Sequence, residues 1–222
     1  MKVGIMQPYF FPYFGYFQLI GAVDIYINLD HVSFMKRSYM TRNKIKAETP
    51  INIPVYGGSQ NKKCSEILVN FESQYLEKFK KKIYYLYGKS PMYEEINKKI
   101  IDPCFMEEEI TISEFNLKII KKICEYLEIE TKIIETSEGL TDKRKGEGLK
   151  EITKQKGSSV YVNAIGGKNL YSKEDFKSDG IDLYFIEMGD VKFDNPYSSI
   201  LDLLYSYNNE YLKKELKNYK LI

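Results

Sequence analysis

His31 is the one histidine in the chain, and it follows Asp30 at the end of the alternating run Asp24-Ile-Tyr-Ile-Asn-Leu-Asp30. An imidazole at the carboxyl end of a strand is well placed for general base work, since free imidazole titrates at about 6.5. Neighbouring strand residues face opposite sides, so Asp30 orients His31 only if the strand has already ended. The competing reading is a surface histidine. Just beyond, Met35-Lys-Arg-Ser-Tyr-Met-Thr-Arg-Asn43 gathers three cations, Lys36, Arg37 and Arg42. Ser38, Tyr39, Thr41 and Asn43 add hydrogen-bonding groups. The planar arginine fork suits phosphate or carboxylate, so this block is the best anion-site candidate, with a solvated loop as the alternative.

The segment Gln7-Pro-Tyr-Phe-Phe-Pro-Tyr-Phe-Gly-Tyr-Phe17 is the other unusual stretch, with seven aromatic residues among its eleven. A buried strand would not carry the prolines, and a solvated loop would not carry the rings. Phe10, Phe11, Phe14 and Phe17 read as core. Gln7, Tyr9, Tyr13 and Tyr16 are harder to place there, because buried polar tips need partners. A tyrosine floor can stack on a sugar or a base, with Gln7 adding hydrogen bonds. In the second half, Tyr161-Val-Asn163-Ala-Ile-Gly166-Gly167 ends a strand run in an amide and two glycines. The pair allows positive φ and close backbone approach to a ligand, or else forms a plain turn. Asp202, inside Ile-Leu-Asp-Leu-Leu, is either an exposed helix residue or a buried partner for an arginine.

Several common chemistries find no motif. There is no GxGxxG, no GxxxxGK[ST], no GxSxG and no HExxH, and one histidine does not make a His-based metal site. No metal-ligand motif is therefore seen, and the cofactor is left open. Cys64, Cys104 and Cys124 lie far apart without ligand spacing and read as reduced, buried thiols.

The elements that must position these residues alternate. Lys2–Met6 is a buried strand, Tyr13–Ala22 an apolar helix and Asp24–Asp30 a second strand, a βαβ opening that implies a parallel pair. Ligands on such sheets bind beyond the carboxyl ends of the strands, where the turn after Met6 meets Asp30-His31. Extended segments are expected over 51–56 and 65–70, and helices over 73–87, 93–101 and 113–127, the last capped by Ser113. Strands follow over 129–135, 159–163 and 182–187. Between them come a helix over 145–156 and a short one around Asp175-Phe176, and a single helix over 197–216 closes the chain. The expected class is α/β, mainly parallel and Rossmann-like, with flanking helices. The parts are 1–72 with the aromatic turn and basic loop, a helical insert or lid over 73–128, and 129–222 completing the same domain.

At 222 residues, 43% hydrophobic and 29% charged, the chain suits one large globular domain. A net charge of +2 sets up no global field for DNA or membranes. No signal peptide and no run of about 20 apolar residues is seen, so a cytoplasmic protein without a membrane span is expected.

These residues resemble the opening of the WbqC-like family of bacterial proteins. The family's strand, QP-Y-x-P-Y-x-G-Y-x motif and K-R-x-x-x-x-R-N block fall on Gln7-Pro8, Tyr9, Pro12, Gly15, Tyr16, Asp30, Lys36-Arg37 and Arg42-Asn43. Tyr161, Gly166-Gly167, Tyr171 and the run Ser199–Leu204 are similar to later family features, while residues 73–127 match only loosely. The resemblance implies a step in building O-antigen and related surface polysaccharides: transfer of an acyl or aminoacyl group, such as glycyl, to the amine of a nucleotide-linked amino sugar. The donor is an activated acyl or aminoacyl group, on a carrier or a tRNA, or is formed with ATP. His31, helped by Asp30, is then the base, Lys36, Arg37 and Arg42 hold the diphosphate, and the tyrosine turn packs on sugar or base. Two alternatives stand beside it: a ligase or nucleotidyl transferase activating a small carboxylic acid with ATP, and a sugar-nucleotide-binding protein without catalysis. The βαβ opening is also similar to nucleotidylyltransferase-like folds, but Pro-Tyr-Phe-Phe-Pro stands where those enzymes carry a histidine motif, so the analogy reaches the fold alone.

Overall fold

The first half of the chain runs through β1 (Lys2–Met6), α1 (Phe14–Gly21) and β2 (Ile25–Asn28), then a hairpin of β3 (Arg42–Ile45) and β4 (Thr49–Asn52). Helices α2 (Ser73–Tyr87), α3 (Tyr93–Ile96), α4 (Asp102–Cys104) and α5 (Ile112–Tyr126) follow. The second half comprises β5 (Lys132–Ile134), α6 (Lys145–Gln155), β6 (Val160–Ala164), α7 (Lys173–Ser178) and β7 (Asp182–Met188). It ends in α8 (Ile200–Ser206), α9 (Asn209–Leu216) and β8 (Tyr219–Leu221). This computed structural model describes residues 1–106, 109–143 and 145–222, with the backbone alone at Ser73.

Among the described residues six strands form one sheet in the order β5-β2-β1-β6-β7-β8. All neighbours are parallel except the antiparallel β7–β8 edge. The α/β class and mainly parallel sheet expected from the βαβ opening are therefore present. Both faces are covered. On one, Val3, Ile5, Ile27 and Tyr161 pack with Leu149 of α6 and Phe176 of α7. On the other, Tyr26 and Val162 pack with Phe14, Phe17 and Leu19 in and around α1. Gly4 permits the close fit of α1: a Cβ there would lie 2.8 Å from Leu19 Cδ2. Phe79, Ile83, Ile100, Phe105 and Phe115 from the helical block join Phe10 and Phe11 in the same core.

Local rules were overruled in several places. Helix α5 is capped by Thr111 in a reciprocal box with Glu114, because Ser113 is buried and accepts from Asn28 Nδ2 at 3.3 Å. The expected 197–216 helix is two helices. Tyr207 is extended, and Asn208 restarts the chain by accepting from Tyr211 N–H at 2.9 Å. The β3–β4 hairpin and the short β8 were not expected. Residues 64–66 form a 3-10 turn where an extended segment was expected from 65 onward.

Candidate functional site

From β1 the chain crosses by α1 to β2 on one side, while β6 pairs on the other. Strand order thus reverses at β1, and a crevice forms beyond the carboxyl ends of β1 and β6, where open α/β sheets bind ligands. A cavity of about 630 Å³ occupies it, within the size range of small-molecule sites. The turn after β1 supplies Gln7, Tyr9, Pro12 and Tyr13, and the loop before the hairpin supplies Met35, Tyr39 and Asn43. Opposite lie Tyr161, Asn163, Gly166, Gly167, Leu170 and Tyr171, with Tyr197 at one side.

The aromatic turn holds its shape by directing its carbonyls into side-chain donors. Gln7 O accepts from Tyr16 Oη at 2.8 Å, Pro8 O from Asn116 Nδ2 at 3.1 Å and Pro12 O from Ile200 N–H at 2.9 Å. Asn43 Nδ2 donates to both Phe10 O, at 3.1 Å, and Phe11 O, at 2.7 Å. Phe11 sits in the left-handed region at φ 43°, a costly conformation for a bulky residue. The phenylalanines Phe10, Phe11, Phe14 and Phe17 are fully buried. The tyrosines divide. Tyr16 is fully buried, its hydroxyl against that of Tyr26, and takes no part in the lining. Tyr9 and Tyr13 are partly buried and form the floor.

On the facing wall, Tyr161 is buried and stacks on Phe176 with ring centroids 5.6 Å apart. Asn163 accepts from Ala164 N–H at 2.8 Å through Oδ1, which fixes the orientation of its amide. No protein acceptor among the described residues takes its Nδ2, nor that of Gln7 Nε2, while Gln7 Oε1 accepts from Tyr9 Oη at 3.3 Å. Two amide donors are thus left to the cavity. Gly166 and Gly167 open a 3-10 turn over Ile165–Asn169, and neither has positive φ. Close approach is the reason for Gly167, where a Cβ would fall well inside 3.0 Å of Asn163 Nδ2.

Among the described residues no Asp, Glu, Lys, Arg or His lines this cavity. Burial raises the Tyr9 hydroxyl above its ordinary range, helped by Tyr39 and Tyr171. Burial, then Tyr197 and Tyr9, pushes Tyr13 up to about 12. These hydroxyls stay protonated at neutral pH and act as hydrogen-bonding groups.

The sequence-level candidates separate accordingly. Gln7, Tyr9, Asn43, Tyr161, Asn163, Gly166 and Gly167 come together around the cavity. Asp30 and His31 lie past the end of β2 and outside the lining. Asp30 is buried and accepts from Ser137 N–H at 2.8 Å, Ser137 Oγ at 2.9 Å and Thr136 Oγ1 at 3.1 Å. His31 donates its backbone N–H to Ser137 Oγ at 3.1 Å, and its Nε2 meets Lys63 Nζ. Lys36 and Arg37 are exposed on the lip between Met35 and Tyr39. Arg42 precedes Asn43 on β3, so its exposed side chain points to the opposite face from that lining residue. Asp202 pairs with no arginine among the described residues: its Oδ1 accepts from Lys46 N–H at 2.8 Å and meets the Tyr87 hydroxyl.

Sequence reasoning did not select Met35, Leu170 or Tyr197, whose only signals were neighbouring the basic block, the double glycine and Pro196. No cluster of three or more potential metal ligands and no helix long and apolar enough to cross a membrane occurs among the described residues.

The chain is 27% identical over 222 residues to the uncharacterized protein Rv1507c of Mycobacterium tuberculosis (strain ATCC 25618 / H37Rv), covering 94% of this chain and 95% of that one. No solved structure matches it. A family model matches residues 7–214, from the first residue of the aromatic turn almost to the end of α9, and the chain belongs to the WbqC-like protein family.

Proposed function

We propose that the cavity binds a nucleotide-linked amino sugar, and that the protein transfers an acyl or aminoacyl group to its amine as a cytoplasmic step in surface-polysaccharide synthesis. The observation that carries this reading is the character of the lining: tyrosine faces opposite two uncommitted amide donors, Gln7 Nε2 and Asn163 Nδ2, at the switch point of the sheet. Aromatic faces and neutral amides suit sugar rings and bases, whose hydroxyls and carbonyls accept such donors. Lys36 and Arg37 on the adjacent lip suit a diphosphate that remains near solvent. In this reading His31 is the base, and the sugar amine has to extend past the lining to reach it, because its Nε2 lies against Lys63 Nζ.

A second reading, binding without turnover, is favoured by one observation: the described lining offers no carboxylate, imidazole or amine to accept the proton of an attacking nitrogen. Calorimetric titration with a nucleotide-linked amino sugar, followed by addition of acyl and aminoacyl donors with and without ATP, separates the readings. N-acylated product supports transfer. ATP consumption that depends on a free amino acid supports a ligase. Binding with no product under any donor supports the second reading, and absence of sugar-nucleotide binding overturns both.

A further inference from the structure

Four of the ten large apolar side chains exposed among the described residues surround one opening: Met35 at 41%, Tyr39 at 62%, Tyr197 at 70% and Leu170 at 74% exposure, all lining the cavity. Leu170 and Tyr197 are both lining residues and among the most exposed apolar side chains of the described residues. Exposed apolar groups gathered in one place mark an interaction surface.

The charge around this opening is one-sided. The chain carries 31 acidic and 33 basic residues. Yet the segments 3–23, 31–47, 157–173 and 195–201, which supply every lining residue except Leu29 and Leu149, contain no Asp or Glu. On one lip Lys36 and Arg37 stand between Met35 and Tyr39, and on the other Lys168 stands between Gly167 and Leu170. All three are exposed and make no ion pair with a described residue. Glu187 lines a smaller pocket that shares Tyr13 and Tyr197, so the Tyr197 side is the less basic one.

We propose that the rim of the cavity docks on an anionic phospholipid surface, with the lips 35–39 and 165–171 against the headgroups. Leu170 and Met35 enter the acyl boundary, the rings of Tyr39 and Tyr197 sit at headgroup level, and Lys36, Arg37 and Lys168 meet lipid phosphates. The aliphatic members favour lipid over RNA, because leucine and methionine offer bases no stacking face and three cations make a weak polyanion track. The cavity then opens toward the bilayer. Lys36 and Arg37, given above to a diphosphate, are shared by the two readings, so the vesicle assay is run without sugar nucleotide and its failure is distinct from a failure of sugar-nucleotide binding.

The test is co-sedimentation of the full chain with vesicles of phosphatidylcholine alone and of phosphatidylcholine mixed with phosphatidylglycerol, at low salt, beside a gel shift with single-stranded RNA. Pelleting with the mixed vesicles is expected, with little on phosphatidylcholine alone. The double substitution Lys36→Gln/Arg37→Gln should weaken partitioning about thirtyfold, and Met35→Ser/Leu170→Ser should weaken it at least about tenfold. These side chains are exposed, so the variants should keep the wild-type far-ultraviolet circular dichroism. Wild-type protein that stays in the supernatant with mixed vesicles overturns the proposal, as does equal pelleting of both variants or binding to RNA without binding to vesicles.

Discussion

Asn43 and Ser199 converge on one atom. The Phe11 carbonyl oxygen accepts from Asn43 Nδ2 at 2.7 Å and from Ser199 Oγ at 2.8 Å. Phe11 is fully buried with φ at 43°, so its strained backbone is held from the hairpin on one side and the start of α8 on the other. The floor of the cavity, Tyr9 and Tyr13, flanks this anchored residue.

Removing Asn43 should therefore cost more than removing Ser199. Asn43→Ala leaves the buried Phe10 carbonyl unpaired and halves the pairing at Phe11, an expected loss of about 2–3 kcal/mol in urea unfolding, against about 1 kcal/mol for Ser199→Ala. Equal losses in the two variants would show that the turn is held by other contacts.

Tyr9 and Tyr16, close in sequence, should respond in opposite ways to loss of the hydroxyl. Tyr16→Phe deletes the donor to Gln7 O and the contact with Tyr26, lowering stability by about 1–2 kcal/mol with ligand affinity retained. Tyr9→Phe frees Gln7 Oε1 and should weaken sugar-nucleotide binding about tenfold with little change in melting temperature. Calorimetry and thermal melts on both variants check the contrast.

The two glycines after β6 should also separate. A Cβ at Gly167 collides with Asn163 Nδ2, whereas one at Gly166 meets no atom within 4 Å. Gly167→Ala is expected to lower affinity at least about tenfold by displacing the Asn163 amide, and Gly166→Ala to leave it near wild type. Matching affinities for the pair would remove Asn163 from the ligand contacts.

Among the cations, Arg37→Ala should reduce sugar-nucleotide affinity about tenfold and Arg42→Ala should not, because Arg42 projects from the far face of β3. A loss with Arg42→Ala would relocate the diphosphate to the other side of the hairpin.

Acid stability should depend on Asp179. Hydrogen bonds from Lys150 and Lys154 hold its carboxyl down at about 2. A carboxylate depressed below its unfolded value of about 3.9 stabilises the fold above that pH, and the contribution is lost as pH falls toward 2. Asp179→Asn should flatten the loss of stability between about pH 4 and 2, as followed by chemical denaturation across that range. A slope identical to wild type would show that the lysines find other carboxylates.

Local pattern carried the opening strand–helix–strand and the parallel sheet, because β1, α1 and β2 each have an apolar periodicity of their own. It did not carry the hairpin, whose strands alternate Arg42 and Lys44 with buried partners and contain Pro50. The division between Tyr9 and Tyr16 was equally hidden, since it depends on α1 turning Tyr16 toward Tyr26 on the sheet face that α1 covers. Tyr197 reaches the cavity only because Ser199 and Ile200 bond back to the turn at Phe11 and Pro12. The cavity gathers seven of the eleven expected ligand contacts, and the expected base and all three cations lie outside its lining.

The carbonyls of the aromatic turn are claimed by donors from residues 16, 43, 116 and 199–200. A segment that begins near the amino terminus thus reaches its working shape only after contacts spanning nearly the whole chain have closed. Such long loops are slow to close and are rewarded late. During synthesis the site should be among the last features to form, after the ribosome has released the α8 segment, so a chain stopped short of Ser199 can hold its first strands and helices and still have no floor on which to seat a ligand.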